Sequence, residues 1–145
     1  MELYDCINFR LNNAQNAVFA YFKDRLSIYE LTPIQYALLK CLWKEDLQTP
    51  TQLAQTLRLD GSSITGILDR LEKKDLIQRV YGQLDRRSIQ IHLLPGGAAL
   101  QKPVEETIQD ANEKVLVGID PTAYEIFQQQ LSIIEANARG LMNNN

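Results

Sequence analysis

Residues 77–81 read IQRVY, residues 82–87 GQLDRR and residues 88–93 SIQIHL, and the reading of this stretch decides the fold. In Ser88-Ile89-Gln90-Ile91-His92-Leu93, apolar and polar side chains alternate strictly, which is the pattern of a half-buried strand. Ile77 to Tyr81 reads as a second short strand. The polar segment from Gly82 to Arg87 reads as the hairpin loop between them. On both sides of this hairpin the apolar period is three to four residues, the spacing of helices.

Working upstream, Asp60 is placed to cap a helix that turns Ile64, Ile67, Leu68 and Leu71 inward. Before it, Thr49-Pro50 is a helix start, with proline at the first helical position, and Leu53, Ala54 and Leu57 form a short apolar face. Thr32-Pro33 repeats that signal ahead of Ile34, Ala37, Leu38, Cys41 and Leu42. The first helix is expected from Leu3 to about Tyr29, on the stripe Ile7, Leu11, Ala14, Val18, Phe22 and Leu26. Downstream, Pro95-Gly96-Gly97 is expected to end the hairpin. A long helix then carries Leu100, Val104, Ile108, Ala111 and Val115. Gly118 and Asp120-Pro121 separate it from a last helix with Tyr124, Phe127, Leu131, Ile134 and Ala138. The tail from Asn143 to Asn145 is expected to fray.

Composition bounds the function. The chain has 145 residues with 45% hydrophobic and 23% charged side chains, an ordinary balance for one globular domain. No apolar run approaches the ~20 residues of a membrane span, and the N-terminus lacks the layout of a secretion signal, so a cytoplasmic location is expected. Cys6 and Cys41 make neither a disulfide framework nor a metal cluster. With His92 the only histidine, multi-histidine metal sites and histidine diads are excluded. No Gly-rich phosphate loop is present. No catalytic residue, cofactor or metal is expected. The net charge of −3 is unevenly spread: Leu47 to Pro95 carries seven Lys/Arg against five Asp/Glu, and the excess of acid lies in the flanks.

Three short helices followed by a two-stranded ribbon describe a winged helix-turn-helix. Its third helix suits the DNA major groove, whose width admits one helix and whose base edges carry a distinguishable donor and acceptor pattern. The positions opposite the inner stripe of that helix are Ser62, Ser63, Thr65, Gly66 and Arg70, candidate DNA contacts in which small hydroxyls allow close approach. Arg86 and Arg87, where the loop returns, suit the minor groove or its phosphates. Asp69 and Asp85 read as ion-pair braces. The plain alternatives are capping and solvation for the hydroxyls, and a charged loop tip that deters aggregation for the arginines.

The runs LDRLEKKDLIQRV (68–80) and LDRRSIQIHLL (84–94) resemble the multiple antibiotic resistance regulators, the MarR family, and the resemblance extends from the first helix to the last. The family's wing pattern of Asp, any residue, Arg is met by Asp85, Arg86 and Arg87. The Asp-Arg-Leu-Glu run ending its recognition helix is met by Asp69, Arg70, Leu71 and Glu72. The resemblance implies a mainly α fold with a two-stranded β wing. It implies a DNA-binding region at 32–95, a helical dimerisation region at 1–31 and 96–145, and a homodimer on a pseudo-palindromic double-stranded operator. It further implies a repressor released by a small aromatic or phenolic effector. Three departures stand out: Gly66 where relatives carry a larger or basic residue, Asp75 in place of a glycine, and Gly96 before Gly97.

For the effector, Phe19, Phe22, Tyr36 and Trp43 are the aromatic candidates, with Arg10 or Arg25 to meet a carboxylate; each also reads as ordinary packing or surface. Cys6 admits a redox-sensing regulator, although it sits beside Leu3 and Ile7 on an apolar stripe. A winged-helix protein-interaction module without DNA binding is the rival from another class.

Overall fold

The computed structural model describes residues 1–82 and 88–143. The hairpin loop with Asp85, Arg86 and Arg87, and the end of the expected frayed tail, residues 144–145, lie outside the described residues. The chain forms two compact units, Met1–Ala111 and Asn112–Asn145.

The first unit contains α1 (Ile7–Leu26), α2 (Pro33–Lys44), α3 (Pro50–Leu57), α4 (Gly61–Lys73), strands β1 (Ile77–Tyr81) and β2 (Ile89–Leu93), α5 (Pro95–Ala99) and most of α6 (Gln101–Val115). Helices α2 and α3 start in the same way. Thr32 Oγ1 accepts the Gln35 amide at 3.3 Å while Gln35 Oε1 accepts the Thr32 amide at 3.2 Å, and Thr49 and Gln52 repeat the exchange at 3.1 and 2.9 Å. Each pair satisfies two amides that a helix start leaves without partners, and Pro33 and Pro50 occupy the position where a missing amide costs nothing. Left-handed residues end the segments: Glu30 (φ 55°) before α2, Arg58 (φ 54°) after α3 and Asp75 (φ 55°) after α4.

The core gathers Leu26 from α1, Leu38, Leu39 and Leu42 from α2, Leu53 from α3, the Ile64/Ile67/Leu68/Leu71 stripe of α4, Ile77 and Ile91 from the strands, and Val104 and Ile108 from α6. The strands are antiparallel, with Ile77 opposite Leu93 and Tyr81 opposite Ile89. Gln48, in the connection between α2 and α3, bridges to β2 by accepting the Ile91 amide at 2.8 Å. Asp46 in the same connection accepts the Leu93 amide at 2.8 Å and meets His92 Nδ1 at 2.8 Å.

Two local expectations need correction. The single N-terminal helix is instead three pieces, because Cys6 has an extended backbone between a 3-10 turn at Leu3–Asp5 and α1, and a second 3-10 turn covers Ser27–Tyr29. Pro95-Gly96-Gly97 does not merely end the hairpin: it forms the start of α5. The chain can turn helical there because Pro95 takes the first helical position, and Gly97 lets the backbone close on the chain ahead of β1. A Cβ on Gly97 would stand 2.3 Å from the Leu76 carbonyl oxygen and 2.7 Å from Leu93 Cδ1.

The second unit is chiefly α7 (Pro121–Asn143), entered through Gly118 at φ 85° and capped by Asp120, whose Oδ2 accepts the Thr122 amide at 3.0 Å. No residue of α7 is buried, and Ile126, Phe127 and Ile133 are each at least 50% exposed. Among the described residues, no helix is long and apolar enough to cross a membrane.

Candidate nucleic-acid interface

Helix α4 is strongly two-sided. Its inner stripe is 0–5% exposed, while Ser62, Ser63, Thr65, Asp69 and Arg70 are exposed and Gly66 is half-buried. The first turn is organised around Asp60. Its Oδ1 accepts the Ser63 amide at 2.7 Å and the Ser62 hydroxyl at 2.9 Å. These bonds, the Ser63 amide foremost, hold the Asp60 carboxyl below the usual carboxylate range. One turn on, the Thr65 hydroxyl donates to the Gly61 carbonyl at 2.8 Å. With their protons turned inward, the Ser62 and Thr65 oxygens face outward chiefly as acceptors. A Cβ on Gly66 would meet nothing within 4 Å, so the helix presents open space there.

Beside this turn, α3 and α4 border a groove of about 430 Å³ lined by Thr51, Gln55, Arg58, Gly61, Ile64 and Thr65, among others. Arg58 reaches it because its left-handed backbone ends α3 and redirects the chain toward α4. Sequence reasoning missed Arg58; its signal was a basic residue in the turn between the two helices of the motif. A second depression joins the start of α3, Thr49 to Thr51, with Ser88 and Ile89 of the wing.

At the far end of α4, Asp69 lies 2.7 Å from Arg79 on β1, and Glu72 lies 2.9 Å from the same guanidinium. The sequence reading has Asp69 as an ion-pair brace and Glu72 only in the family run; their shared partner Arg79 escapes it, because the pairing depends on how β1 folds back along α4. Asp85, Arg86 and Arg87 lie outside the described residues.

The aromatic effector candidates lie on two helices, Phe19 and Phe22 on α1 and Tyr36 and Trp43 on α2. Tyr36 and Trp43, on α2, have ring centroids 6.3 Å apart, and both pack on the core. Burial, the largest influence, pushes the Tyr36 hydroxyl above its ordinary pKa. Trp43 donates its indole N–H to the Gly97 carbonyl at 2.9 Å and borders a groove of about 380 Å³ with Lys40, Cys41, Lys44, Gln101 and Glu105. Lys40 is paired with Glu105 across that groove. Phe22 packs on the core from α1, and its ring contact is with Tyr21 at 6.1 Å; Phe19 is 44% exposed. Arg25 pairs with Asp110 at 3.0 Å, and Arg10 is exposed. Burial raises the Cys41 thiol above its ordinary pKa, although Lys44 opposes the shift, so the thiolate that would react is disfavoured. Cys6 is a half-buried free thiol. Among the described residues, no group of three His, Cys, Asp or Glu side chains could hold a metal ion.

Comparison with known proteins gives this geometry a lineage. Residues 31–89 match the MarR family model. The chain is similar to the HTH-type transcriptional regulator MgrA of Staphylococcus aureus, 31% identical over 115 residues, covering 79% of this chain and 76% of that protein. Its fold is similar to that of a probable transcriptional regulator from Pseudomonas aeruginosa, with a TM-score of 0.86, 28% identity, and coverage of 92% of this chain and 99% of the other. It is also similar to reduced AbfR in a structure bound to DNA, with a TM-score of 0.83, 25% identity, and coverage of 97% and 94%. A winged helix with an exposed outer face on its third helix, in a chain with these relatives, leaves one assignment: the protein belongs to the MarR family of transcriptional regulators.

Proposed function

We propose that the chain binds a pseudo-palindromic DNA operator as a homodimer and represses transcription from it, with no catalytic activity of its own. The observation that carries this reading is the outer face of α4, where Ser62, Ser63, Thr65 and Arg70 are exposed on a helix whose opposite face is locked into the core. Its N-terminal half enters the major groove, with helix amides and hydroxyls close to backbone and bases. Gly66 leaves room for a base edge or methyl group to approach the backbone. Arg86 and Arg87 contact the minor groove or its phosphates from the wing loop.

Dimerisation is assigned to residues 1–31 and 96–145. The support is unspent apolar surface: Ile7, Val18 and Phe19 on α1 and Ile126, Phe127 and Ile133 on α7 are all exposed in the single chain. A second copy related by a two-fold axis would cover such surface. The dimer then sets two α4 helices about one DNA turn apart, roughly 10 bp. AbfR, solved on DNA, supports the DNA partner. Release by a small aromatic effector is assigned to the α2 region around Tyr36 and Trp43.

The test is a footprinting and mobility-shift titration of the purified chain on DNA upstream of its own gene. Two protected half-sites on one face of the duplex are expected, with affinity weakened by about 1–3 kcal/mol in Arg87→Ala. No shift at micromolar protein in low salt, where counterion release most favours binding, would refute the reading. Light scattering that gave a monomer at micromolar concentration would remove the dimer from it.

A further inference from the structure

We propose that Arg79 is the positioning residue that fixes the angle between the α4 helix and the wing, and through that angle sets how many contacts the wing makes on DNA. The proposal rests on the DNA-binding reading above. Asp69 and Glu72 lie three residues apart on α4, one helical turn, so both carboxylates stand on one face. That face meets β1. Arg79 Nη2 donates to Asp69 Oδ1 at 2.7 Å, and its Nη1 donates to Glu72 Oε1 at 2.9 Å. The Arg79 backbone N–H donates to Glu72 Oε2 at 2.9 Å. Two carboxylates therefore hold both the guanidinium and the main chain of one strand residue. A planar guanidinium serves two acceptors in a fixed fork, which a lysine ammonium cannot copy.

The position along the strand gives the clamp its consequence. Residues 77, 79 and 81 point to the same side of β1. Ile77 is 1% exposed and anchored in the core, whereas Tyr81 is 66% exposed. On β1 the apolar grip thus ends at Ile77, while on β2 Ile91, opposite Arg79, is fully buried and Ile89 packs on the core; Arg79 adds a polar hold on the β1 strand, one step nearer the loop that carries Arg86 and Arg87. The chain between α4 and β1 is short, Lys74 to Leu76, and passes through Asp75 in the left-handed region. Partly exposed ion pairs add little to stability. Such a clamp therefore acts on geometry more than on folding.

The experiment uses the full chain and the DNA fragment that it protects. Arg79→Gln is expected to weaken binding by at least about tenfold, the scale of a lost specific contact, and to make the salt slope shallower by about two units, as lost phosphate contacts would. Arg79 itself, engaged by two carboxylates, is not the source of that slope. Arg79→Lys is expected to recover part of the affinity. In a Cys6→Ser, Cys41→Ala background, nitroxides on Gly66→Cys and Tyr81→Cys are expected to give a narrow distance distribution that broadens with Arg79→Gln. If Arg79→Gln does not fold, Asp69→Asn with Glu72→Gln removes the same clamp from the helix side.

Parental affinity and salt slope in a folded Arg79→Gln chain would overturn the proposal, whatever the label distances do. So would parental affinity in Arg79→Leu combined with Asp69→Asn and Glu72→Gln, since that result reduces Arg79 to a neutraliser of two acids. An unchanged distance distribution in Arg79→Gln overturns the positioning role without any reference to DNA. A parent chain that binds no DNA, beside a broadened distribution in the variant, refutes the function and the proposed DNA consequence together.

Discussion

Gly97→Ala tests whether the approach of α5 to the chain ahead of β1 is a close fit. The added Cβ would lie 2.3 Å from the Leu76 carbonyl oxygen, which cannot move aside alone because it accepts the Leu94 amide at 3.0 Å. Leu93 Cδ1, at 2.7 Å, can rotate away, but the carbonyl requires α5 itself to shift. That shift endangers two hydrogen bonds, the one from Leu94 and the one from the Trp43 indole to Gly97 at 2.9 Å. Overpacking costs about 1–3 kcal/mol, each lost hydrogen bond adds about 1 kcal/mol, and alanine's better helix propensity returns up to ~1 kcal/mol. The net expectation is a loss of about 2–4 kcal/mol. At a urea slope of about 1–3 kcal/mol per molar the midpoint falls by roughly 1–2 M. Trp43 is the only tryptophan, so its fluorescence follows this contact as well as unfolding. Protein concentration is held constant, because association would shift the midpoint. Gly96→Ala is the control: its Cβ would meet the Asp75 carbonyl oxygen at 3.2 Å, which a displacement of a few tenths of an ångström relieves. If Gly97→Ala unfolds at the parental midpoint with parental Trp43 emission, the steric argument is wrong.

Three further outcomes follow from single residues. Gly66→Ala should raise stability by about 0.5–1 kcal/mol, since helix interiors disfavour glycine by that amount and nothing lies within 4 Å of the new Cβ; unchanged urea midpoints would show that α4 is strained there for another reason. Asp75→Gly should stabilise by up to ~1 kcal/mol, because Asp75 holds φ at 55°, a region that suits glycine better than residues with a Cβ; a lower melting temperature would mean that the aspartate side chain stabilises the turn. Asp60, whose carboxyl is depressed below 3.8 by the Ser63 amide above all, stabilises the fold above its ordinary pKa and ceases to do so as pH falls through the lower folded value. Denaturation between pH 5 and about pH 2.5 should therefore lose more stability in the parent than in Asp60→Asn, and parallel curves would exclude the cap as a source of acid sensitivity.

The parts of the fold that the sequence foretold are those settled locally. The helix starts at Thr32-Pro33 and Thr49-Pro50 are legible from adjacent residues, and the alternation in Ser88–Leu93 needs no distant partner. The glycine pair after Pro95 was misread because its meaning is not local: Gly97 is required by a carbonyl ahead of β1, which no window around residue 97 contains. The break at Cys6 was equally hidden, since the apolar spacing of Leu3 and Ile7 runs across it without interruption. For the site, the phase of the Ile64/Ile67/Leu68/Leu71 stripe was enough to place Ser62, Ser63, Thr65 and Arg70 outside. It could not reveal that the Ser62 and Thr65 hydroxyls donate inward, nor that Arg79 gathers two acids from α4. The aromatic candidates rest on residue type alone, and type does not say which rings meet. Tyr36 and Trp43 share one helix face and meet, whereas Phe19 and Phe22 belong to another helix.

The hairpin has a further property that follows from its register. Arg79 and Ile91 stand opposite each other, and the amides of both point away from the partner strand. Two-stranded ribbons normally leave such outward groups as a template on which a foreign strand can grow. Here the Arg79 amide is taken by the Glu72 carboxylate, the Ile91 amide by the Gln48 carbonyl and the Leu93 amide by Asp46. Three outward amides of the ribbon are thus taken by the chain's own groups, one on the β1 margin and two on the β2 margin. These margins are less able to recruit the strands of other copies into a growing sheet, and removing Glu72 or Asp46 would expose a seam for aggregation before it disturbed the core.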